Sequence, residues 1–143
     1  MGLVVVGGVV EPAVPMGMQK SGDQPVPAGS TNLKVISWVA RAGYGQTAIV
    51  GDELVSNGPG AVVVRCGISI TGTLAFQGTR NFQLMHNDTT VNFLNTGDSA
   101  VVLPDTPLTL ERGDRVWLRL TGSASYTATV NSGTATYLYY DLA

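Results

Sequence analysis

The chain has 143 residues, of which 44% are hydrophobic and only 13% are charged, and its formal net charge at pH 7 is −2. This length suits one ordinary domain, and the eight scattered Lys and Arg residues argue against a surface that binds nucleic-acid phosphates. One cysteine, Cys66, and one histidine, His86, exclude an internal disulfide and a zinc-binding set. We therefore expect a charge-poor globular domain, without nucleic acid or cofactor, whose surface lies against other surfaces.

The first 29 residues are rich in Val, Gly and Pro and contain three charged residues. Four prolines between residues 12 and 27 are incompatible with a helix and confine any strand to a sheet edge. Residues 3–10 are too few to span a bilayer and follow no basic leader, so we expect neither a membrane span nor a signal peptide. We predict an extended docking arm over residues 1–29 that holds a partner through its apolar side chains, Leu3, Val4, Val5, Val6, Val9 and Val10.

From Asn32 onward, short runs of alternating apolar and polar residues are separated by turn residues, which is typical of β-strands. We predict strands over residues 32–40, 61–70, 77–86, 91–94 and 100–103. Over residues 47–55 we predict one or two short strands with a turn at Gly51 and Asp52. The alternation over residues 61–70 predicts a central strand with Cys66 as a small buried hydrophobic residue. No segment shows a sustained helical period.

Residues 108–142 contain three further runs, separated by Gly/Asp and Gly/Ser turns, and we predict consecutive antiparallel strands that close a sheet. In the first run Trp117 lies on the face opposite to Val116 and Leu118. The last run has large side chains on both faces, because Tyr137 and Tyr139 alternate with Leu138 and Tyr140. A strand of this kind predicts a partner that covers its second face.

The strand count, about eight to ten, predicts an all-β antiparallel sandwich or barrel, commonly a jelly roll. The order of motifs over residues 14–143 resembles the C1q/TNF-like jelly-roll family. Residues 24–38 resemble its opening segment, and residues 57–64 resemble its "G-x-Y-x-V" strand with the Tyr replaced. Residues 110–118 match its "L..GD.V.L" hairpin, and residues 135–139 match its closing strand.

The resemblance implies a jelly-roll domain over residues 30–143 that forms a compact homotrimer, with an interface at Tyr137, Tyr139 and Trp117. The chain has no collagen-like stalk, membrane anchor or secretory disulfide, and a small cysteine-poor domain with an apolar arm resembles bacteriophage virion proteins. This implies a non-enzymatic structural protein, a capsid-decoration or minor capsid protein. Its arm would dock on the major capsid protein or another virion protein after assembly in the host bacterial cytoplasm.

The alternative is a tail-associated or spike-associated head that binds a receptor or glycan. Its binding loops would be those near Gly43 and Tyr44 and over residues 123–126, whose aromatic side chains can stack on sugars. These two hypotheses place the chain in the virion but assign it different partners.

Three candidate chemical sites have simpler structural interpretations. His86 lies beside Asn87 and Asp88 at a predicted strand end, where a turn role is favoured over a catalytic one. Residues 112–114 spell Arg-Gly-Asp, but Gly followed by Asp is also what a tight turn before a strand requires. The carboxylates have no Asp-x-Asp spacing typical of a calcium loop. We therefore expect the chain not to be an enzyme.

Overall fold

The computed structural model describes residues 11–72, 80–122 and 127–143, and over these residues it contains strands and turns but no helix. The strands form two antiparallel sheets, of eight and six strands, which we call the large sheet and the small sheet. The strands are β1 (Met16–Lys20), β2 (Gln24–Val26), β3 (Leu33–Lys34), β4 (Trp38–Ala40), β5 (Ile49–Val50), β6 (Glu53–Val55), β7 (Gly60–Thr71), β8 (Arg80–His86), β9 (Thr89–Thr96), β10 (Ala100–Val102), β11 (Thr106–Leu110), β12 (Arg115–Gly122), β13 (Ala128–Val130) and β14 (Gly133–Leu142).

The large sheet is built around β7, which has twelve residues. Its strands follow the order β2-β13-β7-β14-β1-β4. β10 and β11 pair with the side of β7 opposite to β14, β10 with residues 67–69 and β11 with residues 60–64. The alternation predicted over residues 61–70 is confirmed, because the apolar residues at even positions are all buried: Val62, Val64, Cys66, Ile68 and Ile70.

The small sheet has the order β5-β6-β12-β8-β9, and β3 pairs with β12. Its inward side chains, among them Phe82, Leu84, Val116 and Leu118, pack against those of the large sheet in one core. The turn predicted at Gly51 and Asp52 is confirmed, since both residues have positive φ, at 59° and 63°. The fold is therefore an all-β antiparallel sandwich, as the sequence predicted.

The last three runs are strands, but they are not neighbours in one sheet. β12 lies in the small sheet, whereas β13 and β14 lie in the large sheet, where each pairs with β7 and not with the other. The prediction of three consecutive strands closing a sheet is wrong in this respect. Local alternation identifies a strand but does not determine its partners, which here come from residues 30 or more positions away.

The predicted boundary at residue 29 also needs correction, because β1 and β2 belong to the sandwich. β1 pairs with β14 on one side and β4 on the other, and its Met16 and Met18 side chains are buried in the core. None of the five residues of β1 is a proline, so each has a backbone N–H that can donate to a neighbouring strand, as a central strand requires. The predicted arm therefore reduces to residues 1–10, which lie outside the described residues together with all six of the predicted docking side chains.

The strand predicted over residues 32–40 is interrupted where the chain passes from one sheet to the other. β3 pairs with β12 in the small sheet, and β4 pairs with β1 in the large sheet. Ser37, between them, has a φ of 67° and donates its N–H to Asp52 Oδ1 at 2.9 Å. The left-handed backbone conformation of Ser37 allows the chain to bend between the two sheets. An alternating sequence pattern does not predict this conformation.

Candidate interaction surface

The side chains of Tyr137 and Tyr139 lie on the outer face of the large sheet, half-buried, while Leu138 and Tyr140 point into the core. Tyr44, from the loop between β4 and β5, joins them. The ring centroids of Tyr44 and Tyr139 are 5.6 Å apart, and those of Tyr137 and Tyr139 are 5.7 Å apart. Tilted pairs at this separation are favourable aromatic contacts. The three rings therefore form one continuous surface.

Arg41 completes this surface, because its guanidinium lies 4.9 Å from the Tyr137 ring centroid and 5.0 Å from that of Tyr139. We call Arg41, Tyr44, Tyr137 and Tyr139 the tyrosine face. Arg41 Nη1 is buried and has no hydrogen-bond partner among the described residues. An unpaired buried donor is costly, so a group that accepts from Arg41 would stabilise the face.

Two glycines make room for the rings. Gly17 of β1 lies opposite Tyr139, and Gly67 of β7 lies opposite Tyr137. A Cβ at Gly17 would be 2.9 Å from Tyr139 Cβ, and one at Gly67 would be 2.9 Å from Tyr137 Cε1. The rings thus lie against bare backbone, which brings them close to the sheet.

Acidic and basic residues border the tyrosine face. Tyr44 donates its hydroxyl to Asp141 Oδ1 at 3.1 Å. Asp141 Oδ2 is 3.4 Å from Arg65 Nη1, and Arg65 Nη2 is 3.3 Å from Asp105 Oδ2. Burial, with the hydrogen bond to Asp141, raises the pKa of Tyr44 to about 12. Burial also raises the pKa of Tyr137. The phenols of Tyr44 and Tyr137 are therefore neutral at physiological pH.

Exposed apolar residues extend the same face. Val39 of β4 pairs with Gln19 and is 44% exposed, and Val102 of β10 pairs with Gly67 and is 64% exposed. A shallow groove of about 400 Å³ beside Tyr44 is lined by Val14, Pro15, Gly43, Tyr44, Gly45 and Gln46. An apolar surface of this kind, with rings held in place and a buried Arg41 Nη1 that has no partner among the described residues, suits contact with a protein.

The structure does not bring Trp117 to the tyrosine face. Trp117 lies on the outer face of the small sheet, where its Nε1 donates to Asn87 O at 2.8 Å. Lys34 Nζ stands 5.1 Å from the ring centroid. The three residues predicted to share an interface are therefore on opposite outer surfaces of one protomer, and only Tyr137 and Tyr139 remain in the candidate surface.

His86 and Asp114 form a structural pair at two turns. His86 Nε2 and Asp114 Oδ2 are 2.9 Å apart, while Asn87 Nδ2 and Glu111 N also donate to the Asp114 carboxylate, at 3.2 and 2.9 Å. Burial alone would raise the pKa of Asp114, but the hydrogen bonds from Glu111 N–H, His86 and Asn87 outweigh it and hold that pKa below its ordinary value. The predicted turn roles of His86 and of Arg-Gly-Asp are confirmed, since Gly113 has a φ of 86°.

No other chemical site emerges from the described residues. They contain no group of three His, Cys, Asp or Glu side chains placed to hold a metal ion, and no helix long and apolar enough to cross a bilayer. Cys66 is buried in the core, which raises the pKa of its thiol to about 12. The prediction that Cys66 is a small buried hydrophobic residue is confirmed.

Local alternation predicts the outward positions of Tyr137 and Tyr139, but it does not indicate that Arg41, Gly17 and Gly67 lie beside them. The sequence predicts Tyr44 only as a sugar-stacking residue, and the predicted glycan-binding loop over residues 123–126 lies outside the described residues. The one available signal was the presence of glycines in strands that are otherwise well formed, since a strand glycine often marks a close approach by another group.

No protein-family model matches the chain, and neither does any curated protein sequence. Solved structures do match it. The Eiger TNF of S. frugiperda has a TM-score of 0.65 at 13% identity, over 93% of this chain and 94% of that one. Murine APRIL has a TM-score of 0.57 at 13% identity, over 90% and 97%, and bushbaby GITRL has 0.53 at 12%, over 90% and 94%. The chain therefore has the TNF-like jelly-roll fold.

Proposed function

We propose that the chain is a non-enzymatic structural protein that assembles into a homotrimer through the tyrosine face. The observation that carries this proposal is the unpaired Arg41 Nη1 beside three half-buried phenol rings. Each aromatic side chain can bury about 150–250 Å² in an interface. Three copies is the number implied by the resemblance to the C1q/TNF-like family.

We further propose that this trimer coats a bacteriophage particle, as a capsid-decoration or minor capsid protein. The low proportion of charged residues, 13%, supports a role in which much of the surface is covered. The uncharged segment over residues 3–10 supports a docking arm. Three arms in one trimer would bind a lattice together, so that weak single contacts combine through effective concentration.

The oligomeric state tests the first proposal. We expect a trimer at micromolar concentration in native mass spectrometry and a monomer after the double substitution Tyr137→Ser and Tyr139→Ser. Val50→Ser is the matched control, because Val50 is a 65% exposed apolar residue of β5 in the small sheet. A monomeric wild type, or a folded double variant that remains trimeric, would contradict the proposal.

Binding to phage particles tests the second proposal, that the trimer coats the particle. Deletion of residues 1–10 should leave a soluble trimer that no longer decorates phage heads, whereas the full chain should decorate them. Full occupancy by the truncated trimer would rule out the arm, and binding at a tail tip would place the protein elsewhere on the particle.

A receptor-binding or glycan-binding head is the second candidate function, and the groove beside Tyr44 favours it. One face of the Tyr44 ring is nevertheless occupied by Tyr139, and its hydroxyl is bonded to Asp141. A glycan array with the intact protein distinguishes the two: selective saccharide binding that Tyr44→Ala abolishes would favour the binding head over the coat protein.

A further inference from the structure

Most free sheet edges in the described part of the chain are short. At the ends of the large sheet, β2 has three residues including Pro25, and β4 has three residues. β11, which pairs with β7 alone, has five residues and contains Pro107. One edge of the small sheet is β5, with two residues. Short edge strands and edge prolines hinder unwanted strand pairing, so these edges are poor templates for another chain.

The opposite edge of the small sheet, β9, is different. It has eight residues, and within residues 11–72, 80–122 and 127–143 it pairs with β8 along one side only. It contains no proline and no charged residue. Phe93 and Leu94 are 56% and 40% exposed. A long uncharged edge with exposed apolar side chains is the kind of edge that accepts an added strand.

The outward backbone of β9 has little protection. Alternate residues of an antiparallel strand turn their N–H and C=O groups toward the partner, so the residues between them face outward. Phe93 N donates to Asn92 Oδ1 at 2.9 Å, and Asn92 Nδ2 donates to Thr106 Oγ1 at 2.9 Å. In an added strand, a backbone carbonyl would take the place of Asn92 Oδ1 as the acceptor for Phe93 N–H.

Residues 3–10 have the composition of a strand that fits this edge. They comprise five valines, one leucine and two glycines, without charge or proline. Valine favours strands because its branched side chain packs well on a pleated surface. Main-chain hydrogen bonds supply the affinity of strand addition, so a plain Val/Gly sequence is sufficient.

The anchoring of residues 12 and 13 indicates that the added strand comes from another copy. Ala13 N donates to Pro59 O at 2.9 Å, and Asn57 Nδ2 donates to Pro12 O at 3.1 Å, which holds these residues beside the connection from β6 of the small sheet to β7 of the large sheet. β9 is the third strand from β6 in the small sheet, and neighbouring strands are about 4.8 Å apart. If residues 3–10 all paired with β9 of their own copy, Glu11 alone would bridge this gap, yet one residue spans at most about 3.6 Å.

We propose that residues 3–10 of one copy add to the free edge of β9 in a second copy, as an extra strand of its small sheet. The contact does not use the tyrosine face, so it goes beyond the proposed trimer and joins one trimer to the next. It names another copy of the same chain as a partner of the docking arm, in addition to the phage particle.

Disulfide formation between two variants, each with one introduced cysteine, tests this proposal directly. Full chains carrying Val5→Cys or Val6→Cys are mixed with differently tagged full chains carrying Phe93→Cys or Asn95→Cys, and then oxidised. Because Cys66 is buried, it does not compete. We expect mixed disulfides with the β9 variants and none with Val50→Cys, an exposed position on the short edge strand β5. No mixed disulfide, or equal yields from β9 and Val50→Cys, would overturn the proposal.

A second measurement does not depend on cysteine geometry. Phe93→Lys places a charge on the β9 edge and should weaken association between trimers by about tenfold or more, whereas Val50→Lys should leave it unchanged. Sedimentation velocity separates the two proposals: Phe93→Lys should abolish species larger than the trimer and retain the trimer itself. If Phe93→Lys forms as much of the species larger than the trimer as the wild type does, strand addition is wrong. If the wild type forms no trimer, only the proposed function is wrong.

Discussion

Gly17→Ala is the most direct perturbation of the tyrosine face. The added methyl group would stand 2.9 Å from Tyr139 Cβ and 3.0 Å from Cγ and Cδ2 of the Tyr44 ring. Tyr139 Cβ is attached to the backbone of β14 directly opposite Gly17, so it cannot move without the strand. The Tyr44 ring must therefore shift, or β1 and β14 must separate.

The expected cost follows from the packing. Inserting a methyl group into a well-packed site costs about 1–3 kcal/mol, and replacing glycine with alanine restores about 0.4–1 kcal/mol through the unfolded chain. We expect the free energy of unfolding to fall by about 0.5–2 kcal/mol. The trimer should also dissociate at a higher protein concentration, because the displaced Tyr44 ring no longer packs against Tyr139.

Gly45→Ala is the matched control. Gly45 lies in the same loop as Tyr44, its φ is not positive, and a Cβ there would meet no atom within 4 Å. Urea unfolding of both variants, followed by far-UV circular dichroism at two protein concentrations, separates fold stability from association. If Gly17→Ala is as stable as Gly45→Ala and associates equally well, the close packing of the rings against β1 is refuted.

Three further predictions concern titratable groups. Asp114→Asn should lower the free energy of unfolding at pH 7 by about 1–2 kcal/mol, since hydrogen bonds to a charged acceptor are strong. The pKa of Asp114 in the folded chain lies below its ordinary value of 3.8. In urea titrations below pH 3.8, the difference in stability between the wild type and the variant should therefore shrink. Tyr44→Phe should cost about 0.5–1.5 kcal/mol at pH 7. Since the folded pKa of Tyr44 is raised from 10.0 to about 12, stability should fall between those pH values, and fall less in the variant. Cys66 should react with a thiol reagent only after denaturation, and reaction in the native state would show that the core opens.

The sequence was sufficient for features that depend on local alternation. The even positions of β7 and the two-sided character of β14 follow from strand geometry, in which neighbouring residues point to opposite faces. Tyr137 and Tyr139 were identified for the same reason. The turn roles of Gly51, Asp52 and Gly113 follow from residue types that tolerate positive φ.

Features that depend on distant residues were not predictable in this way. Arg41 and Tyr44 reach the tyrosine face only because β4 and β14 flank β1, and no local pattern encodes that order. Trp117 and Tyr137 are 20 residues apart in the sequence, but they lie on opposite outer surfaces because β12 and β14 belong to different sheets. Proline counts extended the predicted arm too far, since the prolines flank β1 without interrupting it.

The position of β14 has a consequence for how the chain folds during synthesis. β14 is inserted between β1 and β7, so Met16 pairs with Tyr140 across most of the chain. Neither β1 nor β7 can form its full set of hydrogen bonds until residues 133–142 have left the ribosome. Non-local pairing of this kind slows folding and leaves apolar strand edges exposed meanwhile. The nascent chain should therefore depend on chaperones until its final strand arrives, and truncation before Gly133 should yield aggregates rather than a smaller folded domain.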